Sequence, residues 1–128
     1  QEISAYYIWD FASGLSISGN KLYVIARETG LHIVDISKLT EPVLIQLLEL
    51  PESVIDLDVT IYKGIAYIFG ANQLHILDLE DQIFAEGIDS SVPASNAKNV
   101  VAYANTVYIA TYGDNGLEIQ DVTDPLSP

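Results

Sequence analysis

Residues able to do chemistry are few in this 128-residue chain, and most of them recur at fixed spacing. Asp35, Asp78 and Asp121 stand 43 residues apart and are the acids common to every copy of a repeat. A ring of such carboxylates would hold cations. The competing role is structural, because an Asp at a strand end accepts hydrogen bonds from backbone N–H groups of the turn that follows. Recurrence once per unit favours the turn. His32 and His75 share one repeat position, which Glu118 takes in the third copy. Nitrogen and oxygen ligands of this kind suit zinc, each at about 2 Å. Equivalent atoms on neighbouring sheets, however, lie about 10 Å apart, so the two imidazoles do not share an ion. The position reads as a strand site tolerant of polar side chains. Tyr23, Tyr67 and Tyr108 form a further series. They could make an aromatic platform for sugars, but regular mid-strand placement favours packing between sheets, with the hydroxyl reaching a partner.

Reactive groups outside the repeat do not converge. Gly14-Leu15-Ser16-Ile17-Ser18 opens like a nucleophile elbow, yet Ser18 replaces the final Gly and no helical pattern follows. Asp56 and Asp58 occupy alternate positions on one strand face, an arrangement suited to acid–base work, with no partner base in view. Tyr112-Gly113-Asp114-Asn115-Gly116 has the residues of a calcium loop without its spacing. Asp114 and Asn115 are therefore the local cation candidates, and calcium is the one cofactor in question. Phosphate-loop and dinucleotide fingerprints are absent. With no Cys, thiol catalysis, disulfides and Cys-based zinc sites are excluded. The expectation is a protein that is not an enzyme.

The elements that position these residues follow from the repeat. Leu31, Leu74 and Leu117 are also 43 residues apart, in GLHIVDIS, QLHILDLE and GLEIQDVT. Upstream lie LYVIA, AYIFG and VYIAT, each with its Tyr second, and before those LSIS, DVTIY and NVVAY. The links Gly19-Asn20, Lys63-Gly64 and Ala104-Asn105 have the length and composition of tight hairpins, whose central residues both take positive φ. VLIQLLEL after Pro42 and IFAEGI after Gln82 supply a further strand to two of the units. Each unit therefore reads as a four-stranded antiparallel sheet. Strands apolar on both faces need cover on both, and stacked repeats of the same sheet provide it. Radial repetition of four-stranded sheets at a period near 43 is the β-propeller, with a two-sheet sandwich the alternative.

The pattern Gly-Leu-x-Ile-x-Asp-Val/Ile, preceded by a Tyr-centred strand and followed seven residues after the Asp by Pro42 or Pro128, resembles the LVIVD repeat family of β-propellers. The middle copy departs from it, with Gln73 in place of Gly and no Pro seven residues after Asp78. The resemblance implies an all-β propeller of bacterial or archaeal type, secreted or at the cell surface, with no single known activity.

On this reading residues 12–51, 52–92 and 93–128 are three successive blades, the third lacking its outer strand. Residues 1–11, with Tyr6, Tyr7, Trp9 and Phe11, are expected to be the outer strand of a preceding or partner blade. Three blades do not close a ring. The missing cover is expected from further blades of the same polypeptide, with the sequence an excerpt of it, or from another copy of the chain. The formal charge of −13 opposes nucleic acid and anionic lipid, and no apolar run approaches the roughly 18 residues of a membrane-spanning helix. A protein partner is expected, and ligand recognition is sought in the connections Arg27–Gly30, Glu49–Asp56, Ala71–Gln73, Asp89–Ala97 and Tyr112–Asn115. The competing function is a propeller enzyme or cation-dependent carbohydrate binder with its site on the funnel or in other blades.

Overall fold

The computed structural model describes residues 1–50, 58–70, 73–84, 88–89, 97–111 and 116–125. Among the described residues twelve strands form three antiparallel sheets, each a run of sequence neighbours. The first holds β1 (Ala12–Ser18), β2 (Lys21–Ala26), β3 (Gly30–Asp35) and β4 (Val43–Leu48) in that order. The second holds β5 (Asp58–Tyr62), β6 (Ile65–Gly70) and β7 (Gln73–Asp78), with β8 (Ile83–Phe84) and β9 (Ile88–Asp89) both paired to β7. The third holds β10 (Ala97–Tyr103), β11 (Thr106–Thr111) and β12 (Leu117–Asp121). Among the described residues there is no helix, so none is long and apolar enough to cross a membrane.

Register repeats as closely as sequence does. Tyr23, Tyr67 and Tyr108 pair with Ile33, Ile76 and Ile119. Leu31, Leu74 and Leu117 pair with Ile25, Phe69 and Ala110, so the three leucines hold one position. The pairing of β4 with β3 slips by one residue between Ile33 and Val34. β8 and β9 show the same one-residue offset against β7 and together act as the outer strand expected from IFAEGI. β1 and β10 likewise carry matching shifts, between Ala12 and Gly14 and between Ala97 and Asn99. The first-to-second-strand links have two residues each, but only the middle one places both at positive φ, Lys63 at 48° and Gly64 at 77°. In the outer two, Gly19 (57°) and Ala104 (53°) do so while Asn20 and Asn105 do not, which corrects the uniform hairpin geometry expected above.

The sheets stack as blades of an open arc. Tyr23, Ile25, Leu31 and Ile33 of blade 1 interdigitate with Val59, Ala66, Ile68 and Leu77 of blade 2. Blade 2 then turns its opposite row, Tyr67, Phe69, Leu74 and Ile76, onto Val100, Ala102, Val107 and Ile109 of blade 3. The face directed to the next blade is called the front here, the other the back. Period-2 alternation gives each strand one set of side chains per face, which is why the middle strands are apolar throughout. Leu31 and Leu74 are fully buried.

Polar ties fasten the stack at both rims. At the outer rim Gln46 and Gln82 exchange two amide hydrogen bonds, at 2.9 and 2.6 Å. Each blade is also closed on itself after the motif Asp. The N–H of Ile36, Leu79 and Val122 donates to the carbonyl of Asn20, Gly64 and Asn105 respectively, at 2.8–3.0 Å.

Candidate functional site

The repeat aspartates each fix the turn that follows them. Asp35 accepts the N–H of Ser37 at 2.7 Å, Asp78 that of Glu80 at 2.9 Å, and Asp121 that of Thr123 at 2.9 Å. These bonds stabilise the ionised form, and the carboxyls of Asp35 and Asp121 titrate below the ordinary value, mainly through Ser37 and Thr123. In all three the Oδ1 oxygen is bonded to the turn that follows. Among the described residues no cluster of three or more His, Asp or Glu side chains is placed to hold a metal ion. Asp114 and Asn115 lie outside the described residues, as do most of the connections Glu49–Asp56, Ala71–Gln73, Asp89–Ala97 and Tyr112–Asn115.

Two sequence candidates for catalysis turn out to be fasteners between blades. Ser16 lies in mid-strand on β1, and its Oγ accepts the N–H of Ile61 on β5 at 3.1 Å. Thr60, at the equivalent position of blade 2, accepts the N–H of Ala102 on β10 at 3.4 Å. Asp58 accepts from both the N–H of Val100 (2.8 Å) and the amide of Asn99 (3.1 Å). The first strand of each sheet has one edge without a strand neighbour, and its N–H groups need acceptors. For β5 and β10 the preceding blade supplies them. Asp56 lies outside the described residues. Sequence reasoning missed this ladder because Ser, Thr and Asp at alternate strand positions carry no local signature of a partner some 42–45 residues away.

A second arrangement unannounced by motif lies at the N-terminus. Ser4, Tyr6, Ile8 and Asp10 are half-buried while Ile3, Ala5, Tyr7 and Trp9 are exposed, an extended alternation without strand pairing inside this chain. This strap is clasped to blade 1. Ser4 Oγ donates to the Leu39 carbonyl. Tyr6 Oη sits 3.4 Å from His32 Nδ1, and His32 Nε2 is 2.7 Å from Thr29 Oγ1, which donates in turn to Asp10 at 2.9 Å. Asp10 also accepts the N–H of Glu28 and Thr29 at 2.8 and 2.9 Å. Desolvation raises the Asp10 carboxyl, but these donors outweigh it and hold the net value below the usual one. Burial lowers the His32 imidazole, against a smaller opposing pull from Asp10. His32 thus belongs to a clasp, and His75 sits on the next blade opposite Ile68. Tyr7 and Trp9 stack with centroids 6.1 Å apart in solvent.

The front of blade 3 is an exposed apolar surface. Tyr108, Leu117 and Ile119 are 37%, 55% and 60% exposed, and Val101 and Tyr103 extend the patch. Their counterparts Tyr67, Leu74 and Ile76 are at most 2% exposed. A contiguous apolar row of this kind marks an interaction site. On the back of blade 1, Val24, His32 and Val34 are buried while Leu15 and Ile17 on β1 remain 66% and 61% exposed. Ser13, Gly14, Asp58 and Asn99 line an open cavity of about 340 Å³ at the inner rim.

The LVIVD repeat model matches residues 11–48 and 94–128, and the chain belongs to that family. The middle unit, where Gln73 replaces Gly, falls between the matched segments. No curated protein matches. Among solved structures, the computationally designed Ika4 protein is similar at 14% identity over 96% of this chain and 74% of its own, with a TM-score of 0.66. Glutaminyl cyclase from Myxococcus xanthus matches at 14% identity over 92% of this chain, TM-score 0.68. Hydrazine synthase from Kuenenia stuttgartiensis matches at 17% identity over 87%, TM-score 0.67. The chain spans 50% of that cyclase and 34% of that synthase. At these identities the likeness is one of fold: three blades of a β-propeller whose ring is not closed.

Proposed function

We propose that this chain is a non-catalytic propeller segment that serves as a scaffold or protein-interaction surface, outside the cell or on its surface, with no cofactor of its own. The apolar front of blade 3 carries this reading. It repeats a row that is buried between blades elsewhere in the molecule, so it suits a protein partner, whether a further blade or another copy of the chain. Supporting it, Ser16, Asp58 and the motif aspartates Asp35, Asp78 and Asp121 each accept a backbone N–H. The excess of acidic residues adds a surface that disfavours nucleic acid.

A second reading has one observation in its favour. The inner-rim cavity brings Asp58 and Asn99 to an open mouth, where a cation-dependent carbohydrate binder or a propeller enzyme would place its site. Thermal unfolding with and without millimolar calcium separates the two, because a ligand that binds only the folded state raises Tm. The scaffold reading expects no shift. A clear rise would replace it with the second.

A further inference from the structure

The two exposed faces of this arc carry the two halves of one repeated contact. In blades 1 and 2 the front row is Tyr23, Ile25, Leu31, Ile33 and then Tyr67, Phe69, Leu74, Ile76, each covered by the back of the next blade. Blade 3 presents Tyr108, Ala110, Leu117 and Ile119 in the same register, and no other sheet among the described residues covers them. The covering rows begin on the first strand, with Val59 in blade 2 and Val100 in blade 3. Leu15 is their counterpart, since it pairs with Val24 as they pair with Ile68 and Ile109, and Ile17 matches Ile61 and Ala102. Leu15 and Ile17 are exposed on the back of blade 1, as are Leu44 and Leu47 of β4 at its outer side.

We infer that the front of blade 3 docks the back of blade 1 of a second copy of this chain, continuing the arc head to tail. This deepens the scaffold reading, on which it rests, by naming the partner. The inner-rim ladder carries the same logic. Asn99 donates its amide to Asp58 behind it, and its carbonyl oxygen is an acceptor of its own. In the repeat register the donor there is the N–H of Leu15 from the incoming copy, as Val100 is the donor to Asp58. Val101 stands where Ser16 and Thr60 carry hydroxyls, so the remainder of the contact is apolar. The strap lies at His32 on the outer part of the docking face, and the incoming blade meets β1 first and displaces it. Such a contact joins unlike patches, so it builds rings or chains of copies rather than face-to-face pairs. Each copy carries a charge of −13, which makes association stronger at high salt, opposite to the behaviour of a contact held by ion pairs.

Sedimentation of the chain and two charge variants tests this. Ile119→Glu disables the front of blade 3 and Leu15→Glu the back of blade 1. Both positions are exposed, so the variants keep the parent Tm; Leu117→Lys serves as a second front-face variant should Ile119→Glu fold poorly. The parent is expected to gain mass with concentration, and each variant alone to associate about a hundredfold more weakly, since docking would bury an unpaired charge. An equimolar mixture of Ile119→Glu and Leu15→Glu retains one intact pair of faces and recovers a two-chain complex. A parent that stays monomeric at every concentration and salt overturns the proposal. Variants that associate like the parent also overturn it. So does a Leu15→Glu protein that still associates while Ile119→Glu does not, because the face would then be meeting something other than blade 1. None of these results bears on the calcium melt, so failure here leaves the scaffold reading standing.

Discussion

Leu74 and Leu117 occupy the same position of the same motif, in the same register, and one is fully buried while the other is 55% exposed. The strands on which they sit differ little in apolar content. What differs is the next blade: blade 3 lies over Leu74, and among the described residues no sheet lies over Leu117. A propeller unit is therefore specified by its own sequence only as far as its sheet. Whether its faces are core or surface is assigned by neighbours.

The largest expected effect breaks that comparison directly. Leu74→Ala should lower unfolding stability by about 2–5 kcal/mol through lost burial and a residual cavity. Leu117→Ala should stay within about 0.5 kcal/mol in the monomeric chain. Denaturant melts of the two proteins, with similar slopes, provide the check. Equal losses would mean that the two faces are equally covered.

A smaller contrast involves the motif glycines. Gly30 has φ 105°, and a Cβ there would meet the Leu48 carbonyl oxygen at 2.3 Å, because β4 passes close by. Gly116 has φ 62° with open space around it. Gly30→Ala should cost about 2–3 kcal/mol from strain and collision, and Gly116→Ala about 1 kcal/mol from left-handed backbone alone. A single series of melts reads both.

The inner-rim ladder gives the next contrast. Thr60→Val removes the acceptor of the Ala102 N–H and should destabilise by about 1 kcal/mol. Val101→Thr, which places a hydroxyl at the equivalent position on the exposed front of blade 3, should change nothing in the monomer. Hydrogen exchange at Ala102 should accelerate in the first variant only.

The smallest effects appear in pH. Burial holds His32 below its ordinary value of 6.5 in the folded chain. Its contribution is therefore complete above that value and is lost as pH falls through the lower folded one. His32→Gln should flatten this part of the Tm–pH curve. Asp35 and Asp121, held below 3.8 by their turn donors, lose their contribution only at more acid pH. Asp35→Asn should soften that acid limb slightly.

Much of the fold was legible because it is local and repeated. Tight links, alternating apolar positions and an Asp before each turn act within a few residues, so reading them thrice gave strands, register and blade order. The open ring was legible too, since three units span too little arc. The candidate site was less so. Ser16 looked like part of an elbow and Asp58 like half of an acid pair, and each proved to receive a backbone N–H from the neighbouring blade. His32 was weighed as a ligand and lies in a clasp with Tyr6, Thr29 and Asp10.

The linear order of residues determined what each sheet is: its strands, its hairpin links, its motif aspartates and the two apolar rows it carries. Those depend on φ/ψ preferences and hydrogen bonds between near neighbours. Only the tertiary arrangement decided which row is buried, which hydroxyl is a fastener and where residues 1–11 lie. Each of those outcomes depends on atoms brought together from distant segments, and period-2 alternation alone does not say which face another sheet will cover.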